Sequence, residues 1–152
     1  MANHIRRQVR DAFATLVTGL TTTGANVFVN RVDPVATGDL PALLIATPSE
    51  QVEKASIGMP NPFVRRALTL TVTAMARASS TVWNTLDLIC QEVEEAVFLD
   101  ETTATLGGLC KDTALVATEI SISGEGDRMV GIAAMQFEIL IHAREGIPDA
   151  AV

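Results

Sequence analysis

The chain has 152 residues, enough for one domain with a substantial hydrophobic core. Its net charge of −7 and its pI near 4.7 argue against a protein that grips nucleic acid, because tight phosphate binding is built on clustered basic residues. Apolar residues make up 48% and charged residues 19%, and the mean hydropathy is +0.31. No apolar run reaches the roughly eighteen residues of a membrane span, so no membrane partner is expected. Buried subunit interface is then the expected source of the apolar excess, and the chain reads as an oligomer.

A first helix is expected over 4–20, where Ile5, Val9, Ala12, Phe13, Leu16, Val17 and Leu20 recur on one face. Asn3 is the expected N-cap. The N-terminal residues therefore open a helix and not an apolar secretory signal, and a reducing, cytoplasm-like compartment follows. Arg6, Arg7 and Arg10 cluster opposite the apolar face, as a solvated surface or as a contact with an acidic partner. Residues 21–24 end the helix, Val27–Val29 reads as a short strand, and Asp33-Pro34 and Gly38-Asp39 mark a loop. The continuous apolar run 42–46 reads as a strand covered on both faces. From Pro48 to Pro62 periodicity is lost, and Gly58, Pro60 and Pro62 predict a loop long enough to be functional or interfacial.

The clearest pattern runs from Val64 to Leu99. Val64, Leu68, Leu70, Val72, Ala74, Ala76 and Ala78 occupy alternate positions, interrupted only by Arg66, while Arg65, Thr69, Thr71, Thr73 and Arg77 occupy the others, with Ala67 and Met75 as exceptions. Period two over this length belongs to an extended strand. After Ser79-Ser80-Thr81 the period changes, and Val82, Leu86, Ile89, Cys90, Val93 and Val97 share one arc of a helix. Asp87, Gln91, Glu94 and Glu95 lie on its polar side. Leu88 falls among them, about 200° around from Leu86, and Phe98 and Leu99 also leave the apolar arc. Misplaced apolar residues on a helix of so apolar a chain point to protein–protein contact. Trp83, near the edge of the arc, is open between core anchor and interface residue.

Beyond this helix, 101–104 reads as a turn and 105–109 as a short extended segment broken by glycines. Residues 114–123 alternate, with Val116, Thr118, Ile120 and Ile122 on one face. The glycine-rich stretch 123–127 is expected to join hairpin strands. The strand 131–143 places Ala133, Met135, Phe137, Ile139 and Ile141 on one face, and the tail from Gly146 is expected to fray. The order is helix, three strands, helix, two strands. It predicts a single domain over 1–152 of the α+β class, an antiparallel or mixed β-sheet with two α-helices packed on one face.

No catalytic motif emerges. His4 and His142 stand alone, Cys90 and Cys110 lack the spacing of a zinc site, and Cys90, on the apolar arc, reads as a core thiol. Gly107-Gly108 and Gly124-Glu125-Gly126 are too short to cradle a phosphate, and the second sits among acids. Asp87, Glu94 and Glu95 have no evident pocket, so they read as a solvated or intersubunit face. No catalytic residue, cofactor or metal is expected, and the chain reads as a non-enzyme.

Taken in order, several segments resemble the tail terminator (tail completion, or minor tail) proteins of long-tailed bacteriophages. They are the "RRQVRDA" type of first helix, "TGANVFVNR", "DLPALLI", the alternating "RRALTLTVTAMA", "LDLICQEVEEAV", "LGGLCKDTAL" and "GIAAMQFEILI". The likeness spans nearly the whole chain. It implies an α+β subunit of a homo-oligomeric, hexameric ring that caps the tail tube, ends addition of tube protein and joins the tail to the head–tail connector or neck protein. DNA would pass through its lumen without specific binding. It further implies a place at the head-proximal end of the virion's tail, reached from the host cytoplasm during assembly. The likeness brings no functional residues with it. The candidate assembly contacts are Val52, Ile57 and Met59 in the irregular loop, Arg65, Arg66 and Arg77 facing acids of a neighbour, Arg6, Arg7 and Arg10 facing an acidic tube or connector, and Leu88. The alternatives are a head-completion or neck adaptor ring and, from another class, a small α+β enzyme or ligand-binding dimer.

Overall fold

The sheet is built on two long neighbours, β3 (Phe63–Arg77) and β5 (Val130–Arg144), paired antiparallel over their full fifteen residues. The computed structural model describes residues 3–57, 60–124 and 129–152. At about 3.4 Å per residue these strands run roughly 50 Å, and their register sets Leu70 against Phe137 and Val72 against Met135. Helix α1 (Ile5–Leu16) precedes the short β1 (Val27–Val29), which pairs parallel with β2 (Ala42–Lys54). Helix α2 (Val82–Val97) and the one-turn α3 (Glu101–Ala104) follow β3. Strand β4 (Asp112–Ser123) joins β5 on its other side, and β6 (Ile147–Ala151) pairs with the end of β5. The order β1-β2-β3-β5-β4 is antiparallel except at β1, so the sheet is mixed and the fold is α+β.

One face of the sheet makes the core. Leu68, Leu70, Val72 and Ala74 of β3 and Ala133, Met135, Phe137, Ile139 and Ile141 of β5 are all fully buried. They pack against Ile5, Val9 and Phe13 of α1 and Leu86, Ile89 and Val93 of α2. The rings of Phe13 and Phe137 meet edge to face at 5.2 Å, a geometry favoured by their quadrupoles. The opposite face carries Thr69, Thr71 and Thr73 beside Gln136 and Glu138, and among the described residues no helix covers it.

Several expectations are revised. Helix α1 ends at Leu16 because the chain turns at Gly19 (φ +87°) and closes a tight hairpin, in which the Gly19 N–H donates to the Gly24 carbonyl and the Gly24 N–H to the Leu20 carbonyl. His4, not Asn3, caps it, its Nδ1 accepting from the Arg6 N–H at 3.1 Å. The irregular loop is shorter than expected, since β2 continues through Pro48 to Lys54. The register shifts between Ala46 and Ser49, and β1 pairs only with 43–45, so Pro48 sits at a bulge on a free edge, where its missing N–H breaks no ladder. The run 42–46 is not covered on both faces, for Ala46 is exposed.

In β4 a second bulge, between Leu115 and Ala117, reverses the alternation. Thr113 and Leu115 turn inward beside Thr118, Ile120 and Ile122, and Val116 stands half exposed. Around Leu106 the chain makes a 3-10 turn and no strand, with Leu106, Gly107 and Gly108 at φ +51°, +69° and +97°. Those left-handed angles cannot continue a ladder. The tail from Ile147 is pinned as β6, with the Val152 N–H donating to the His142 carbonyl and Gln8 to that of Asp149. The expected connection 123–127 lies mostly outside the described residues.

The start of α2 lies so close to β5 that a Cβ on Gly131 would sit 2.4 Å from Cγ2 of Val82 and 3.0 Å from Cδ1 of Leu86. Glycine is therefore required here for packing, not for its dihedral freedom. Gly131→Ala is expected to cost about 1–3 kcal/mol through overpacking, lowering the melting temperature by roughly 2–4 °C per kcal/mol. Thermal unfolding followed by circular dichroism checks this.

Candidate assembly surfaces

Helix α2 divides its surface by period. At roughly 100° per residue, Asp87, Leu88, Gln91, Glu94 and Glu95 project away from the buried arc and Trp83 stands at its edge. All are exposed, as are Phe98 and Leu99 just past the helix, although the Phe98 ring lies 6.3 Å from that of buried Phe137. Leu88 is 49% exposed and Leu99 73%, much for aliphatic side chains that an isolated domain could have sheltered. Between Arg77 and Lys111 the sequence holds Asp87, Glu92, Glu94, Glu95, Asp100 and Glu101 and no lysine or arginine. The α2 face is thus both apolar and acidic. Glu92 is tied inward, accepting from the backbone N–H and the hydroxyl of Thr22. It thereby anchors the 19–24 hairpin against α2 and forms one wall of a groove of about 310 Å³ with Leu20, Glu95 and Leu99.

The candidate arginines fall into three environments. Arg66 occupies the inward row of β3, where both its own side chain and that of Glu50 on β2 are about one-tenth exposed. Glu50 Oε1 accepts from Arg66 at 3.1 Å and from Arg6 of α1 at 2.9 Å. Arg66 is therefore turned inward, while Arg6 reaches the same carboxylate from the start of α1 with its side chain still 43% exposed. Arg7 lies 3.6 Å from Asp11 with both side chains exposed, a pair of small energetic weight. Arg10 donates to the Thr47 hydroxyl at 3.0 Å and, with the Asn30 amide oriented to accept, to Asn30 at 3.0 and 3.1 Å. Arg65 and Arg77 project from the uncovered sheet face at opposite ends of β3 and are exposed. Arg31 is placed similarly to Arg10, stacked 4.4 Å over the Phe28 ring.

Of the loop candidates, Val52 belongs to β2 and is 52% exposed, and Ile57 is 85% exposed. Met59 lies outside the described residues. The structure does not gather the ten candidates into one site. Arg6 and Arg66 share the Glu50 carboxylate, Val52, Ile57 and Arg65 share the end of the β2–β3 pair, and Leu88 stands apart on α2.

Glu50 is the residue that sequence reasoning missed. It fell within a stretch read as loop, yet Arg66, the one charge in the inward row of β3, was the signal that a buried carboxylate must lie nearby. Among the described residues no group of His, Cys, Asp and Glu is arranged to hold a metal ion. Burial, with Glu94 and Asp87 beside it, pushes the Cys90 thiol up to about 11, so it stays protonated and unreactive near neutrality. Burial also raises Cys110, whose sulfur packs 3.6 Å from the Thr113 hydroxyl.

No family model and no curated protein sequence matches the chain. Among solved structures it is similar to a chain from the virion of a native gene transfer agent particle, at 13% identity and a TM-score of 0.46, with 92% of each chain covered. A likeness that loose assigns no function.

Two outcomes follow from the network under α1. Glu50→Gln leaves Arg66 buried without its counter-charge and is expected to destabilise by about 3–5 kcal/mol, measured by urea denaturation. The His4 imidazole is held below its ordinary value by burial and then by Arg6 and Arg66, with Glu50 opposing. The unfolded chain then binds a proton before the folded chain does, so stability is full above pH about 6.5 and falls as the pH drops through the folded value. His4→Asn keeps a capping acceptor without titrating. It is expected to lose less stability than the wild type between pH 7 and pH 5.5.

Proposed function

We propose that this chain is a structural subunit of a phage-type virion, and specifically the tail terminator, the ring that closes the tail tube and receives the head. The observation that carries the reading is the outer side of α2 and its C-terminal end, where Leu88 and Leu99 stand in solvent among acids, with Trp83 exposed at the edge of the arc, although the helix has already closed the core with its other side. Apolar surface of that kind is expected where another protein covers it. The tail-terminator assignment is drawn from the ordered resemblance of the sequence to that family. In this reading the protein works by assembly and has no catalytic role. The negative balance of the chain suits a ring through which DNA slides, since few phosphate contacts would hold it.

Electron microscopy of particles assembled without this chain tests the proposal. Tails of uncontrolled, excessive length are the expected result. Tails of normal length would contradict it, and normal tails detached from filled heads would assign the chain to the neck instead.

A further inference from the structure

We infer that copies of this chain meet head to tail, with the β1 edge of one seated on the acidic outer face of α2 of the next. The inference rests on the ring reading and names the two surfaces that would build the ring. A closed ring from one kind of chain needs two different patches that complement each other, because a heterologous contact repeats around the axis. Both patches are present on this chain.

The first lies where β1 leaves the sheet edge. Val29 is 37% and Val32 96% exposed. Arg10 and Arg31 flank Asn30, and both guanidinium groups are held by neutral acceptors. Arg10 has the Thr47 hydroxyl and the Asn30 amide. Arg31 has the carbonyls of Asp33 and Pro34, at 3.1 and 3.3 Å, and the Phe28 ring. Asp33 lends its carbonyl, not its carboxylate, and among the described residues neither arginine has a carboxylate within ion-pair distance. These cations are fixed in place while their charge stays uncompensated within the chain.

The second patch is its counterpart in charge and in kind. Leu88 on α2 and Leu99 just past its C-terminal end are exposed on the side that carries Asp87, Glu94 and Glu95, with no cation between Arg77 and Lys111 in the sequence. Pairing Val29 and Val32 with Leu88 and Leu99 buries aliphatic surface, which supplies the affinity. The arginines against the glutamates supply orientation and suppress like-to-like contact, the role in which interfacial charge is most effective.

The test uses the full chain in three forms at equal concentration, compared by sedimentation velocity after circular dichroism confirms the fold. One form carries Arg10→Glu with Arg31→Glu, and another carries Glu94→Arg with Glu95→Arg. The wild type is expected to assemble, and each reversed form to associate at least tenfold more weakly. An equimolar mixture of the two is expected to assemble again, because every contact in an alternating ring then joins opposite charges. Leu88→Asp, at an exposed site that folding does not use, is expected to dissociate the wild-type assembly. An assembled wild type whose reversed forms assemble equally well would overturn this contact and leave the ring reading intact. So would reversed forms that dissociate and are not restored by mixing. A wild type that remains monomeric would overturn both.

Discussion

The antiparallel pairing of β3 with β5 is the constraint on which the rest of the molecule depends. With side chains alternating at every residue, one slip in register would carry Leu70, Val72, Met135 and Phe137 to the open face and Thr71, Thr73 and Gln136 into the core. The buried row of this pair is the surface on which α1 and α2 lie, and the helices' own apolar arcs are shaped to it. Gly131 shows how close the fit is, since the backbone of β5 itself meets Val82 and Leu86 there. β2 and β4 then extend the sheet, each with a bulge that lets an edge strand depart from strict alternation.

One ionic network sits at the margin of that apolar layer. Arg66 interrupts the inward row of β3, and the structure answers with Glu50 from β2 and Arg6 from α1. A charge there is tolerable only when paired, so the network ties the start of α1 to the sheet and removes Arg66 from the surface available for assembly, while Arg6 stays partly exposed. What remains outside is sorted by neighbourhood. Arg10 and Arg31 are fastened by neutral groups at the β1 edge, while α2 presents acids and leucines with no cation among them. The surface chemistry of the chain is therefore polarised, and that favours a directional contact between copies.

Much of this was readable beforehand wherever one periodicity ran long. The alternation from Val64 to Ala78 and the arc from Val82 to Val97 both appear as expected, and so does Leu88 on the exposed side of α2. The α+β class followed from them. What escaped was local and depended on partners distant in sequence. Pro48 and the mixed polarity of Ser49 to Lys54 hid the second half of β2, because a bulged edge strand keeps neither strict alternation nor an unbroken ladder. With that half unseen, Glu50 was lost, and Arg66 looked like a surface residue. Leu106 gave no sign of a left-handed turn, a conformation rare for leucine. Short β6 is held by bonds from the backbone of β5 and from Gln8 of α1, and its own five residues carry no period strong enough to announce it. The candidate contacts were legible as residue types, but which of them the fold consumes was not.

These features describe a subunit whose core is complete and whose outer helix is not. We propose that this incompleteness is filled by further copies of the same chain in a closed ring, the form a cap on a tail tube would take. The most direct measurement is native mass spectrometry of the purified chain, paired with electron microscopy of the same sample. The account predicts a ring with a mass close to six times the 16.1 kDa of the chain. A monodisperse monomer at tens of micromolar, with no ring in the images, would contradict it.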